Sequence, residues 1–215
     1  MTATIDTAVL TAWILRFRDV IAEKQEWLTE LDSAVGDADH GANMAGGMQA
    51  AAEKAQEGGA ATADELLKAV GMTLVSSVGG ASGPLYGTFF LRMGMAAGAV
   101  SQLDASALAA ALRAGLDGVV ARGKAEPGDK TMFDSMAPAV DALEAALADG
   151  ASIAEATEAA ATAAGTGRDA TVPLVARKGR SSYLGERSAG HLDPGAASTA
   201  LLFDALAAAI ADASR

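Results

Sequence analysis

Residues 7–31 read TAVLTAWILRFRDVIAEKQEWLTEL, and the spacing of their apolar positions decides the fold class. Val9, Leu10, Trp13, Ile14, Phe17, Val20, Ile21, Leu28 and Leu31 recur at three- and four-residue intervals. They line one face of a helix, with one weak turn around Lys24. The same period returns along the chain. A second helix is expected from about Gly41 to Glu57, ended by Gly58-Gly59. Thr62-Ala63-Asp64-Glu65 has the form of a capping box that opens a third helix, to about Val78. Gly79-Gly80-Ala81-Ser82-Gly83-Pro84 reads as a tight loop, with Pro84 in the first turn of a fourth helix through Val100. A fifth runs from about Asp104 to Ala121. Thr131-Met132-Phe133-Asp134 caps a sixth, which contains Pro138 and reaches about Asp149. Ser152-Ile153-Ala154-Glu155 opens a seventh, and Asp193 and Pro194 are suited to the N-cap and first position of an eighth. No strong strand, internal repeat or linker interrupts the pattern. The expectation is one all-α domain over residues 1–215, about eight antiparallel helices in a bundle.

Composition limits the function. The hydrophobic fraction is 51% but aromatics are only 4%, and alanine, the best helix former, supplies much of the difference. That implies closely approaching helices around a thin core. A formal net charge of −11 argues against direct nucleic-acid binding, which needs a basic footprint. An acidic protein that handles an anionic ligand must concentrate its few cations, or a metal, at the site. Without cysteine there are no disulfides or thiolate metal sites. The N-terminus lacks a basic stretch followed by an apolar core, and no apolar run reaches membrane-spanning length without charge or glycine breaks. A cytoplasmic protein with no membrane contact is the expectation.

Three aspartates fall between the first two helical stretches, in LDSAVGDADHG at residues 31–41. At about 5 Å and an effective dielectric of about 20, each pair among Asp32, Asp37 and Asp39 repels by roughly 3 kcal/mol. Either the backbone holds them apart or a divalent cation sits between them. Hard oxygen ligands suit magnesium or calcium rather than zinc, and magnesium keeps positions open for waters and phosphate oxygens. Gly36 and Gly41 let the chain bend so that the carboxylates converge. The plainer reading is a solvated loop in which Asp39 caps the second helix and His40 packs.

Three other segments bear on the same chemistry. Glycines at 79–83 ahead of a helix expose backbone amides that bind phosphate readily, although they match no established phosphate motif and also suit a tight turn. In the loop 122–130, Gly123 and Gly128 allow close backbone approach, and Met132 after it is either a wall for a purine or simply core. The longest irregular stretch, about Lys178 to Leu192, carries Lys178, Arg180 and Arg187. It reads as a lid over phosphates or as an ordinary charged surface loop.

Together, four segments carry a resemblance. LDSAVGDADHG (31–41), MTLVSSVGGASGPLYGTF (72–89), RGKAEPGDKTM (122–132) and ARKGRSSYLGERSAGHLDPGA (176–196) resemble, in order and over nearly the whole chain, the nucleotide-binding L subunits of bacterial dihydroxyacetone kinases. The resemblance implies an eight-helix antiparallel barrel with nucleotide and magnesium at one end. Asp32, Asp37 and Asp39 would bind two magnesium ions. His40, Gly41, Ala42 and Asn43 would line the phosphates and ribose, and Ala81 and Ser82 would approach the phosphates. Gly123 and Met132 would contact the base side. Arg180 in the lid and Asp193, Pro194 and Gly195 would complete the site, with no catalytic residue on this chain.

Such subunits come in two arrangements. In one, K and L domains work together with free, exchangeable ATP, on dihydroxyacetone or a related triose or tetrose. In the other, the L subunit keeps ADP bound, a phosphohistidine M subunit of the phosphoenolpyruvate phosphotransferase system rephosphorylates it in place, and the K subunit presents dihydroxyacetone. The sequence as given carries the L portion, and its GDADHG wording is closer to the second arrangement. The resemblance also allows a transcription regulator that reads the nucleotide state, and it is compatible with a homodimer. Two other uses of aspartates fit worse. A haloacid-dehalogenase phosphatase needs its Asp-x-Asp after a buried strand, and a prenyl synthase needs a second aspartate cluster and an aromatic-lined cavity.

Overall fold

A computed structural model describes residues 4–215; Met1, Thr2 and Ala3, the start of the stretch read above for a leader, lie outside the described residues. The helices are α1 (Thr7–Glu23), α2 (Gln25–Val35), α3 (His40–Gln56), α4 (Ala63–Ser77), α5 (Ser82–Ala97), α6 (Ala105–Gly123), α7 (Phe133–Ala148), α8 (Ile153–Ala170) and α9 (Pro194–Ala213). A 3-10 segment, Arg180–Ser188, lies between α8 and α9. Two-residue strands β1 (Ile5–Asp6) and β2 (Gln102–Leu103) pair antiparallel. They are too short for any periodicity to show.

The all-α expectation holds, and the count of nine among the described residues rather than eight has a local cause. The first expected helix breaks at Lys24, where ψ is 9°. The ladder continues across the break, since Lys24 N donates to Val20 O at 2.9 Å and Leu28 N to Lys24 O at 2.9 Å. Treated as one bent element, α1–α2 gives eight. Neighbours in sequence pack as neighbours in space from α3 through α9, and α9 returns against α1. The helices thus close into a ring of alternating direction. Trp13 of α1 meets Phe90 of α5 with centroids 5.4 Å apart, and Phe17 meets Tyr86 at 6.1 Å, so large side chains from non-adjacent helices fill the middle.

Alanines at 51, 52, 111, 139, 156, 160, 164, 196, 197 and 200 are buried, which lets the remaining helices approach closely. Helix α9 is long and apolar enough to cross a membrane by length and composition, with a mean hydropathy of 1.5 in its best window; 67% of that window is buried inside the fold. Its apolar character belongs to a core helix, and Asp204 interrupts it.

Cap chemistry follows the sequence in most places. Ser152 and Glu155 form the reciprocal capping box, and Asp193 caps α9 through Ala196 N with Pro194 at the first turn. The expected box at Thr62 does not form. The Thr62 hydroxyl turns to Asp64 Oδ1 at 2.6 Å, and Glu65 Oε2 accepts instead from Ala61 N at 2.9 Å. Helix α5 begins at Ser82, inside the segment read as a loop, and α6 runs two residues further than expected, to Gly123.

Candidate metal and nucleotide site

Alternating direction puts the starts of α3, α5, α7 and α9 at the same end of the ring as the finishes of α2, α4, α6 and α8. A cavity of about 480 Å³ opens there, within the range of small-molecule sites. The positive ends of four helices meet the negative ends of four others here, so the macrodipoles largely offset and what counts is which end amides are left open. The start of α5 has no side-chain cap, so its first amides are free to meet an anion.

Asp32, Asp37 and Asp39 line this cavity, and one carboxylate oxygen from each lies within 4.8 Å of the others. The arrangement is built by the backbone. Asp32 sits in the last turns of α2 and is buried; its Oδ2 accepts from Asp39 N at 2.9 Å and His40 N at 3.2 Å. Asp32 therefore caps α3 from outside. Asp39, which the plainer reading made the cap, makes no side-chain cap bond, so its carboxylate is free to face the cavity. Gly36 makes the fold-back feasible: a Cβ there would sit 2.1 Å from Asp32 Oδ1. Ala38 takes a left-handed φ of 62°, an uncommon conformation for a residue with a Cβ. Three hard oxygen donors converging in an open cavity fit a magnesium-type ion with room for waters or phosphate oxygens.

Across the mouth, Arg180 Nη2 lies 3.0 Å from Asp37 Oδ2. Arg122, Lys130 and Lys178 also line the cavity, so four of the 16 lysines and arginines border it. The other wall, with Leu85, Val119 and Met132 beside Gly123, is apolar enough for a planar base.

His40 is buried with both ring nitrogens engaged, Nε2 with Ser198 Oγ at 2.9 Å and Nδ1 with Ser82 Oγ at 3.2 Å. The Ser198 hydroxyl donates to Gly195 O at 3.1 Å, and Tyr86 OH lies 2.8 Å from Ser198 Oγ. If Ser198 donates to Gly195 O, its oxygen accepts from His40 Nε2–H, and Nδ1 accepts from Ser82. Burial pushes the His40 imidazole below its usual range, against the opposing pull of Asp32 and Asp39. An imidazole hydrogen-bonded at both nitrogens organises the site and has no free nitrogen for phosphate chemistry. Burial also pushes Tyr86 up to about 12, so its phenol stays protonated. Asp193 is buried, and burial raises its carboxyl to about 7, opposed by the Ala196 amide and by Lys130.

The cavity wall includes Asp32, Asp37, Asp39, His40, Asn43, Ala81, Ser82, Gly123, Met132, Arg180, Asp193, Pro194 and Gly195, which are all the residues that the resemblance assigned to the site except two. Gly41 and Ala42 do not line it, and neither do Gly128 and Arg187, read as candidates from their loops. A Cβ on Gly41 would meet Gln25 O at 2.2 Å and Thr29 Oγ1 at 2.3 Å, so this glycine lets α3 pack against α2. Ala42 points to solvent. Sequence reasoning missed Lys130, Tyr86 and Ser198. The last two had a signal, since hydroxyls on otherwise apolar helices need buried partners.

The DAK2 domain model matches residues 34–208. The chain is 48% identical over 201 residues to the ADP-binding subunit DhaL of the PEP-dependent dihydroxyacetone kinase of Escherichia coli, covering 92% of this chain and 94% of that one. It is 43% identical over 208 residues to the corresponding subunit of the PTS-dependent kinase of Lactococcus lactis, covering 97% and 99%. Among solved structures, the dihydroxyacetone kinase of C. freundii in complex with AMP-PNP and Mg2+ superposes with a TM-score of 0.70 at 26% identity over 97% of this chain. This chain spans about a third of that longer one, 35% of its length. The chain belongs to the DAK2 domain family.

Proposed function

We propose that this protein is the nucleotide-carrying subunit of a phosphoenolpyruvate-dependent dihydroxyacetone kinase, a cytoplasmic phosphotransferase component whose whole chain acts as one domain. The observation that carries the reading is the meeting, in one cavity, of the acidic trio, the uncapped start of α5 and the lid arginine. The near-complete mutual coverage with the subunits of E. coli and L. lactis supports the arrangement in which ADP stays on the subunit.

Bound with magnesium, the nucleotide would supply the phosphoryl-carrying chemistry between a phosphohistidine of an M subunit and a hydroxyl of dihydroxyacetone on a K subunit. The residues of this chain position and neutralise, which is most of what such a transfer asks of a protein. Asp32, Asp37 and Asp39 would hold two magnesium ions. Asn43, Ala81 and Ser82 face the phosphates, with His40 fixing Ser82 from behind. Gly123 and Met132 face the base, and Asp193, Pro194 and Gly195 form the floor. With a metal on Asp37, Arg180 would be released from that carboxylate to contact the transferring group. With the imidazole of His40 engaged on both nitrogens, this chain offers no free base there. The proton of the acceptor hydroxyl therefore leaves to the K subunit.

Two finer readings rest on the family resemblance. A transcription regulator reads the ADP-loaded form and not the empty one, tested by comparing co-purification of the two forms. The subunit is compatible with a homodimer, tested by sedimentation.

Native mass spectrometry of the purified protein tests the main reading. Retained ADP that becomes ATP on addition of phosphoenolpyruvate and the phosphotransferase components is the expected result. Nucleotide that exchanges freely, with turnover driven by ATP alone, would replace this reading with direct use of ATP.

A further inference from the structure

Lys130 is buried, 1% exposed, at a left-handed φ of 62°. Its side-chain partners are backbone carbonyls rather than a carboxylate. Nζ donates to Thr171 O at 2.8 Å and Leu174 O at 3.1 Å, lies 3.4 Å from Val172 O, and also donates to His191 O. Thr171 is the C-cap of α8, so the ammonium sits where that helix presents its orphan carbonyls and the negative end of its dipole. His191 lies two residues before the cap of α9. One cation thus ties together the point where the chain leaves α8 and the point where it enters α9.

Between those points runs the whole lid, with Lys178, Arg180 and the 3-10 segment. Other bonds close the same neck: Gly190 N donates to Val172 O at 2.8 Å, Asp193 N to Thr171 Oγ1 at 3.1 Å, and Ala176 N to Ser188 Oγ at 2.8 Å. Arg177 N donates to Asp129 O at 3.0 Å, which fastens the lid to the residue before Lys130. On its other side, Lys130 is followed by Thr131 and Met132 of the cavity wall. An ammonium has three protons. Here they are committed to carbonyls, so this lysine is not a phosphate ligand despite lining the cavity.

We propose that Lys130 is a positioning residue that clamps the neck of the lid over residues 172–192 and so holds Arg180 over the phosphate end of the cavity. The nucleotide part of this proposal rests on the function proposed above. The clamp itself does not.

The test uses the full chain with Lys130→Met, and with Leu108→Ala as a control for general destabilisation. Leu108 is a buried residue at the far end of the barrel. In nucleotide-free Lys130→Met, amide hydrogen exchange over 172–192 speeds up by about tenfold or more relative to α4 and α5. With magnesium and ADP present, ADP dissociates about tenfold faster while association changes little, as expected for a lid that no longer stays closed. The Leu108→Ala control loosens the protein without favouring the lid and leaves ADP release unchanged. Exchange that rises evenly over the whole chain, or ADP release in Lys130→Met matching the control, overturns the proposal. A wild type that fails to bind Mg-ADP defeats the proposed function, and the exchange comparison still judges the clamp. Should Lys130→Met not fold, nitrogen-15 NMR of the wild type decides. A Lys130 ammonium signal in slow exchange with water supports the clamp, and one exchanging freely with solvent overturns it.

Discussion

Arg180 on the lid and Asp37 in the acidic trio face each other across the cavity mouth at 3.0 Å. This pair joins the two halves of the site, since it puts the lid's cation on a carboxylate that magnesium would claim. Both side chains are partly exposed, so the contact itself adds little stability. Its value is in where it holds the arginine. Arg180→Ala is therefore expected to leave the unfolding midpoint nearly unchanged. It should weaken Mg-ADP binding by about tenfold, because a charge-assisted contact to phosphate is lost. Calorimetric titration with ADP at fixed magnesium, beside a thermal melt, checks both.

The place of Asp32 depends on a missing side chain. Gly36→Ala would set a methyl 2.1 Å from Asp32 Oδ1, and the carboxylate would have to leave the amides of Asp39 and His40. We expect a loss of about 1–3 kcal/mol of stability, typical of overpacking, together with weaker magnesium binding. Urea unfolding and metal titration measure the two effects.

Gly41 gives the contrasting case. Its methyl would strike the Gln25 carbonyl at 2.2 Å, on the face of α3 turned away from the cavity. Gly41→Ala should lower stability by about 1–3 kcal/mol while the folded fraction keeps its ADP affinity. An affinity loss beyond the drop in folded fraction would place Gly41 at the ligand after all.

Asp193 makes stability depend on pH. Its folded value of about 7 lies above the ordinary carboxyl value. From about pH 4 to about pH 7 the unfolded chain gives up this proton while the folded chain keeps it. This group's contribution to stability therefore falls as pH rises through that window and levels off above it. Asparagine also caps helices well, so Asp193→Asn should flatten the decline and keep α9 intact. Urea midpoints for both proteins between about pH 5 and about pH 8, without metal or nucleotide, make the comparison.

Much of this was legible in the sequence, and the exceptions have physical causes. The period of apolar residues located the long helices because each buries one face. It did not separate α1 from α2, where the hydrogen-bond ladder passes Lys24 almost unbroken. Asp193-Pro194 and Ser152-Glu155 behaved as their local chemistry dictates. Thr62 did not: its hydroxyl is turned toward Asp64 Oδ1, and Glu65 accepts from Ala61 N instead of the Thr62 amide. The aspartate cluster was visible as a group, but the division of labour within it was not: Asp32, rather than Asp39, caps α3, through a fold-back that has no signature in the linear sequence. Lys130 was hidden for a similar reason. A lysine in a polar loop looks solvated until the two ends of a distant segment are found closing over it.

The acidic trio is expected to carry the metal that anchors the nucleotide. Calorimetric titration of ADP into the wild type and into Asp37→Ala, each with magnesium and each with a chelator, measures this directly. The expected result is tight binding only for the wild type with magnesium, and a loss of about a hundredfold or more in the other three combinations, as removal of a metal ligand implies. Equal ADP affinity in wild type and Asp37→Ala with magnesium present would contradict it.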